Sequence, residues 1–427
     1  MKRTFFLFLL FSVGVYSQSS DTLRLNRDEI ETIFLRQNLA LIAEKMNVSI
    51  ADAEIMQAKL WDNPSLSISD VNLWATGIQR EVLREADAGN YTQFAIELNQ
   101  FILTAGKRRK NVAVQQVSKE MTVQQFGETL RGMKTELRLR INEIVYIQHY
   151  ETVLSGQADV LAKLITAYEK QVQNGNLSKG ELLRLQSSCL EMENELYQLR
   201  IELNGHLKAL NALLNLPATY YIVVMPGSVN ENAILPVLVD LFAIATENRP
   251  DMKLQKLQTE RFAKSLSFEK AQRVPDITLS ATYDHYAGVW KNYVGFGLSF
   301  DLPVFNRNQG NIKIATFGLE QSKLVEQQLQ NTIFNEIAEV FGNYEQSLTF
   351  YRKISDKKIL LELDEMRDVC AKNLINRNIS MLEFIDFMES YQKSKQIFLE
   401  TQKAVNNNFE ELQYVVGKDL LQLQIIN

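Results

Sequence analysis

Lys170-Gln-Val-Gln-Asn-Gly-Asn-Leu-Ser-Lys-Gly-Glu181 and Lys372-Asn-Leu-Ile-Asn-Arg-Asn-Ile-Ser-Met-Leu-Glu383 decide the fold. Lys, Asn, Asn, Ser and Glu recur between them at an offset of 202 residues (372 against 170). Ser178 and Ser380 are each followed three residues later by Glu, the spacing of a capping box that opens a helix. Asn174-Gly175-Asn176 and Asn376-Arg377-Asn378 stand just before, and Asn and Gly tolerate the left-handed conformation that ends a helix. Each stretch therefore reads as helix, tight turn, helix, with hairpin tips near 175 and 377. The pattern Phe94, Ile96, Leu98 recurs as Phe296, Leu298, Phe300 at the same offset (296 against 94). One offset at two distant places indicates an internal duplication.

The arms of these hairpins are long. Leu130, Met133, Leu137, Ile141, Ile144 and Gln148 are spaced as a heptad seam, as are Leu196, Leu199, Leu203, Leu207, Leu210 and Leu214. Ile333, Ile337, Val340, Tyr344, Leu348 and Tyr351 form a looser third seam. No proline falls between Pro64 and Pro217, or after Pro303. At 1.5 Å per residue a helix from Lys107 to Gln173 extends roughly 100 Å, several times the diameter of a domain.

Each half also carries a strand pair ahead of its long helix. Leu66 and Ile68 alternate with Ser65, Ser67 and Ser69; Gly77 to Gly89 reads as a polar loop; Phe94, Ile96 and Leu98 alternate with polar residues. In the second half Ile277, Leu279, Ala281 and Tyr283, then Val294, Phe296, Leu298 and Phe300, do the same. Period two with one apolar face is the signature of a half-buried strand. The segments have the length of tilted transmembrane strands, about 9–11 residues. Trp74, Tyr91, Tyr286, Trp290 and Tyr293 lie near the loop ends, where an aromatic girdle sits. Four strands in lipid leave two open edges, so several copies must close one barrel.

The 427 residues carry 46 Lys and Arg against 51 Asp and Glu, a net charge of −5 that gives no basic footprint for nucleic acid. Lys2 and Arg3, the apolar stretch Thr4 to Val15 and small Ser17 read as a signal peptide over 1–17. Its removal takes the charge to about −7. No cysteine near the cleavage point offers a lipid anchor, and Cys189 and Cys370 are the sole cysteines, two unpaired thiols or a single bridge. His149, His206 and His285 are scattered without ligand spacing, so no metal site and no cofactor is expected. No nucleophile–base pair, phosphate loop or catalytic carboxylate pair is present, which excludes the common enzyme classes. Lys107-Arg-Arg-Lys110 reads as a solvated cluster.

The order of these features resembles the TolC-like outer membrane efflux proteins, over roughly residues 25 to 417. The resemblance rests on Asn63-Pro-Ser-Leu66 and Val274-Pro-Asp-Ile277, where helix gives way to strand. It rests also on Gln100-Phe-Ile-Leu-Thr-Ala-Gly-Lys-Arg108 and Leu302-Pro-Val-Phe-Asn-Arg307, where strand returns to helix, and on the two tips. Asn306-Arg-Asn-Gln-Gly-Asn-Ile312 and Asn248-Arg-Pro-Asp251 look like the heavy-metal (cation efflux) branch. The missing lipid-anchor cysteine departs from that branch.

The resemblance implies a mainly α fold with a transmembrane β-barrel portion: a homotrimer with a twelve-stranded barrel in outer-membrane lipid and a twelve-helix periplasmic tunnel. It divides the chain into a first repeat, 18–215 (helix, β-hairpin 65–102, helical hairpin 107–215), an equatorial linker, 216–235, and a second repeat, 236–427 (helix, β-hairpin 276–302, helical hairpin 306–416). The expected function is the passive exit duct of a tripartite system with a periplasmic adaptor and an inner-membrane resistance–nodulation–division pump, exporting heavy-metal cations. Multidrug efflux or type I protein secretion is the alternative cargo, and a periplasmic coiled-coil scaffold the alternative of another class. By position, Asn174, Gly175, Leu177, Ser178, Asn376, Asn378, Ile379 and Ser380 would meet the adaptor. Glu383 and Asp386, three apart on one helix face, would line the periplasmic constriction, with Arg184 at the position of Asp386 in the first half. Glu383 has a rival role as the cap partner of Ser380.

Overall fold

A computed structural model describes residues 22–72, 81, 93–227, 235–287, 290–355 and 359–420. The expected signal peptide, Trp74, Tyr91, the Gly77–Gly89 loop and the side chain of Tyr286 lie outside the described residues.

In chain order the elements are β1 (Thr22–Leu25), α1 (Arg27–Gln37), α2 (Leu39–Lys59), β2 (Ser65–Asn72), β3 (Gln93–Ile102), α3 (Lys107–Gln173), α4 (Lys179–Leu213), β4 (Tyr221–Val224), α5 (Leu238–Asn248), α6 (Pro250–Ala271), β5 (Ile277–Ala287), β6 (Trp290–Ser299), α7 (Gln309–Ser355), α8 (Ile359–Ile375) and α9 (Met381–Val416). No helix among the described residues is long and apolar enough to cross a membrane.

The 67 residues of α3 form one uninterrupted helix because nothing in them breaks it and their seam always has a neighbour. Leu137, Ile144, Leu154, Leu161 and Leu164 are fully buried against Leu185, Leu196, Leu203 and Leu210 of α4 and against Phe384 and Met388 of α9. Each such side chain contributes about 1.5–3 kcal/mol. The third seam, Ile333, Ile337, Tyr344, Leu348 and Tyr351, packs in a second core with Leu241, Met252, Val405 and Leu412. Above these cores, α2 packs on α3, α3 on α6 and α6 on α7.

The sheet repeats that order. Strands β2, β3, β5 and β6 form one antiparallel four-stranded sheet, with β2 and β6 at its edges. Its register is sided: Leu66 faces Leu98, Ile68 faces Ile96, Leu98 faces Ala281, Tyr283 faces Val294 and Leu279 faces Leu298. Every second position across the sheet is thus apolar. The opposite face carries Ser65, Ser67, Glu97, Asn99, Ser280, Thr282, Gly295 and Gly297. The sheet is not closed within the chain.

Three features differ from the sequence reading. The linker 216–235 contains β4, which pairs in parallel with β1, so six strands rather than four are found among the described residues. The single helix expected ahead of each hairpin is two, broken at Asn38 and at Arg249. These breaks lie 211 positions apart (249 against 38), as do Pro64 and Pro275, whereas the tips lie 202 apart. The first half is therefore nine residues longer (211 against 202) between its helix–strand junction and Phe94. Finally, Lys107 is not solvated: it is buried, and its Nζ donates to Asp276 Oδ2 at 2.7 Å.

Candidate functional site

The two tips fold alike but not identically. At the first, the Asn176 amide donates to Gln171 O at 2.9 Å and the Gly175 amide to Val172 O at 3.0 Å. At the second, Asn378 donates to Asn373 O at 2.8 Å and Arg377 to Leu374 O at 3.1 Å. Both are Schellman ends. The left-handed residue is Gly175 (φ 75°) and, unexpectedly, Arg377 (φ 60°) rather than an asparagine. A side chain at that φ costs about 1 kcal/mol. Arg377 Nη2 also donates to Asn176 O at 2.8 Å, tying one tip to the other. Leu177 and Ile379 pack partly buried against the core, and the remaining tip residues are exposed.

The capping boxes differ too. Ser380 Oγ accepts from the Glu383 amide at 3.2 Å, and Glu383 Oε2 accepts from the Ser380 amide at 2.7 Å, so the box is complete. At Ser178 the cap accepts from the Glu181 amide at 3.3 Å without the reciprocal bond. The Ser380 backbone and hydroxyl bonds hold the Glu383 carboxyl below its ordinary pKa. Glu383, Asp386 and Arg184 are all exposed, and neither Asp386 nor Arg184 has an ion-pair partner within 4.0 Å among the described residues.

Between sheet and tips lies an ionic joint that the sequence did not reveal. Arg138 on α3 donates to Glu31 Oε1 on α1 at 2.7 Å and to Glu410 Oε2 on α9 at 2.9 Å. Arg27 pairs with Glu410, Lys134 with Glu31 at 3.2 Å, and Asp419 with Arg138 at 3.6 Å. Burial pushes the Glu31 carboxyl up, but the Arg138 bonds and charge and the Lys134 charge outweigh it and bring it down to about 2.

The helix breaks belong to the same joint. Asn38 caps α2 through the Leu41 amide and donates its Nδ2 to Leu213 O at the end of α4. Arg249 precedes Pro250 at the start of α6 and donates to Val415 O at the end of α9. Leu213 and Val415 are 202 apart (415 against 213), so each break residue caps the returning helix of its own half. The Asn248-Arg-Pro-Asp251 motif thereby acquires a role, with Asp251 and Glu336 holding the guanidinium at 2.6 and 2.8 Å. Gly417 ends α9 at φ 72°, and a Cβ there would lie 3.0 Å from Arg249 Cα, so glycine serves both conformation and approach.

Cys189 and Cys370 are free and buried. Among the described residues no group of three or more His, Cys, Asp or Glu is placed to hold a metal ion.

A sided sheet continued by a 67-residue helix and two helical hairpins is the fold of the outer-membrane efflux channels. CusC, solved in crystals addressing its folding and transmembrane channel formation, superposes with a TM-score of 0.72 at 16% identity over 92% of both chains. The CmeC outer membrane channel of Campylobacter jejuni gives 0.73 at 13% identity over 93% of this chain and 88% of that one. The outer membrane protein VceC of Vibrio cholerae gives 0.71 at 16% over 92% and 96%. The cobalt-zinc-cadmium resistance protein CzcC of Cupriavidus metallidurans is 23% identical over 279 residues, 64% of this chain and 62% of that protein. The chain thus spans less than two thirds of that relative's length. No protein-family model matches.

Proposed function

We propose that the chain is the outer-membrane channel of a tripartite efflux system, a passive duct formed by a homotrimer. The carrying observation is the sided sheet: Leu66, Ile68, Phe296 and Leu298 are more than half exposed on its apolar face while β2 and β6 stay unpaired at its edges. An apolar face suits lipid, and lipid does not tolerate an open edge. Three chains of four strands close a twelve-stranded barrel. The helices support the same closure, since α2 exposes Leu39, Ile42, Met46 and Ile50 and α7 exposes Ile314, Phe317 and Leu324 at the two ends of the α2–α3–α6–α7 row. These stripes meet when copies join head to tail. A coiled-coil scaffold would leave the apolar sheet face unexplained.

In this reading residues 1–17 direct export, 18–215 and 236–427 are the two repeats, and 216–235 links them at the equator. The tips, Asn174, Gly175, Leu177, Ser178, Asn376, Asn378, Ile379 and Ser380, meet a periplasmic adaptor that joins an inner-membrane resistance–nodulation–division pump. Asp386, with Glu383 and Arg184, surrounds the periplasmic opening, where three copies of two carboxylates favour cations. Heavy-metal cations are the cargo, a reading supported by the likeness to a protein named for cobalt, zinc and cadmium resistance.

Membrane fractionation tests the duct. A detergent-requiring, heat-modifiable trimer in the outer membrane is expected, and a monodisperse protein stable without detergent would refute it. Cargo is tested in a deletion strain challenged with cobalt, zinc, cadmium and dyes; loss of dye tolerance alone would refute the metal reading.

A further inference from the structure

We infer that the strand-to-helix junction of the first half is a binding site for the phosphate headgroup of an anionic glycerophospholipid. The site is an open cleft of about 410 Å³ lined by Lys59, Trp61, Asp62, Leu103, Arg108 and Arg109. It rests on the outer-membrane reading above, which places this junction at the periplasm-facing headgroup level.

The charges are the first observation. Among the described residues Lys59, Arg108 and Arg109 have no carboxylate within 4.0 Å, and Asp62, in the same cleft, pairs with none of them. Asp276, the carboxylate packed into the junction, is taken by Lys107 and by the Thr104 amide at 2.8 Å. Arg108 and Arg109 stand at the positive end of α3, whose first turn holds no acid, and like charge there is unfavourable, whereas Lys59 ends α2. The chain itself therefore leaves an excess of positive charge uncompensated at this place.

The surroundings select the ligand. The Arg108 guanidinium lies 3.7 Å from the ring centroid of Trp61, which is 62% exposed. A tryptophan with its body open and a guanidinium fixed on its face is the usual furniture of a membrane–water interface, and a planar guanidinium matches phosphate oxygens. Four residues after Asp62 the apolar sheet face begins at Leu66. At the corresponding junction of the second half Leu302, Val304 and Phe305 are 72, 56 and 93% exposed, which marks an apolar boundary at the same level. A free phosphate would use the cations but not this apolar surface; a phospholipid uses both.

The test uses the full chain purified in detergent, with lipid retention read by native mass spectrometry. Phosphatidylglycerol should be retained over phosphatidylcholine, and inorganic phosphate at equal concentration should not displace it. A cation near an anionic lipid is worth about fivefold in affinity, so Arg108→Gln with Arg109→Gln should lower retention at least tenfold. Arg108→Lys with Arg109→Lys keeps the charge but loses the fork and the stack on Trp61, so its retention should fall between parent and glutamine variant. Equal retention of the two lipids, displacement by inorganic phosphate, or an unchanged glutamine variant overturns the site. If the protein still fractionates with the outer membrane, the duct reading survives that failure; a protein soluble without detergent instead overturns the duct reading.

Discussion

Replacing Arg138 by methionine tests the ionic joint. The guanidinium makes three bonds, at 2.7 and 3.2 Å to Glu31 and 2.9 Å to Glu410, whose side chain is 2% exposed. Removing one partner of a buried ion pair costs about 3–5 kcal/mol, because the remaining charge stays buried. Arg27 still faces Glu410 and Lys134 still faces Glu31, so the lower end, about 3 kcal/mol, applies. The titration of Glu31 gives a second route. Its folded pKa, about 2 against an ordinary 4.5, corresponds to at most roughly 3 kcal/mol by linkage, shared between Arg138 and Lys134. A depressed carboxyl contributes that stability in full above pH 4.5 and loses it as pH falls toward 2. Thermal unfolding in detergent, followed by circular dichroism, should therefore show Arg138→Met lowering Tm by roughly 3 °C at pH 7. The gap between variant and parent should narrow as pH falls from 4.5 toward 3. A shift under about 1 °C at pH 7, or a gap that does not change with pH, would refute the reasoning.

Phe296→Arg puts a charge on the apolar sheet face at a position 87% exposed and should cost about 2–4 kcal/mol in lipid, seen as loss of heat-resistant assembly, while Thr282→Arg on the polar face is tolerated. Ser380→Ala removes the cap and should cost about 1 kcal/mol, read as faster amide hydrogen exchange over 381–384, with the Glu383 pKa rising toward its ordinary range. Gln157, fully buried in α3 with neither amide atom partnered among the described residues, should behave oppositely: Gln157→Leu raises Tm by an amount worth about 1–3 kcal/mol, and a lower Tm would show that the amide has a partner.

Much of the fold was legible because it rests on local periodicity. The leucines from 196 to 214 and the seam 333–351 are read from spacing alone, and Leu196, Leu203, Leu210 and Ile337 are buried as that spacing requires. Strand alternation foretold the sided sheet in the same way. The features that escaped depend on partners far apart. Arg138 meets Glu31 across 107 positions and Glu410 across 272, and no short window contains such a pair. Strands β1 and β4 are four residues each, too short for a periodic signal. Lys107 reads in sequence as one of four solvated cations because its partner, Asp276, lies 169 positions away. At the tips the motif named the right turn, but Arg377 in the left-handed place shows that the turn tolerates more than the residues favoured there.

The pairing of β1 with β4 constrains the order of events as the chain folds. Thr22 can meet Tyr221 only once some two hundred residues between them are made, and the pairing is parallel, so no hairpin can deliver it. The first described strand is thus among the later elements to be fixed. By then α1 has other anchors: Ile30 and Phe34 sit in the core, Glu31 accepts from Arg138, and Arg27 pairs with Glu410. The waist of the molecule is consequently a clasp that closes late, and damage to it should leave the long helices intact and still packed through their leucine seams.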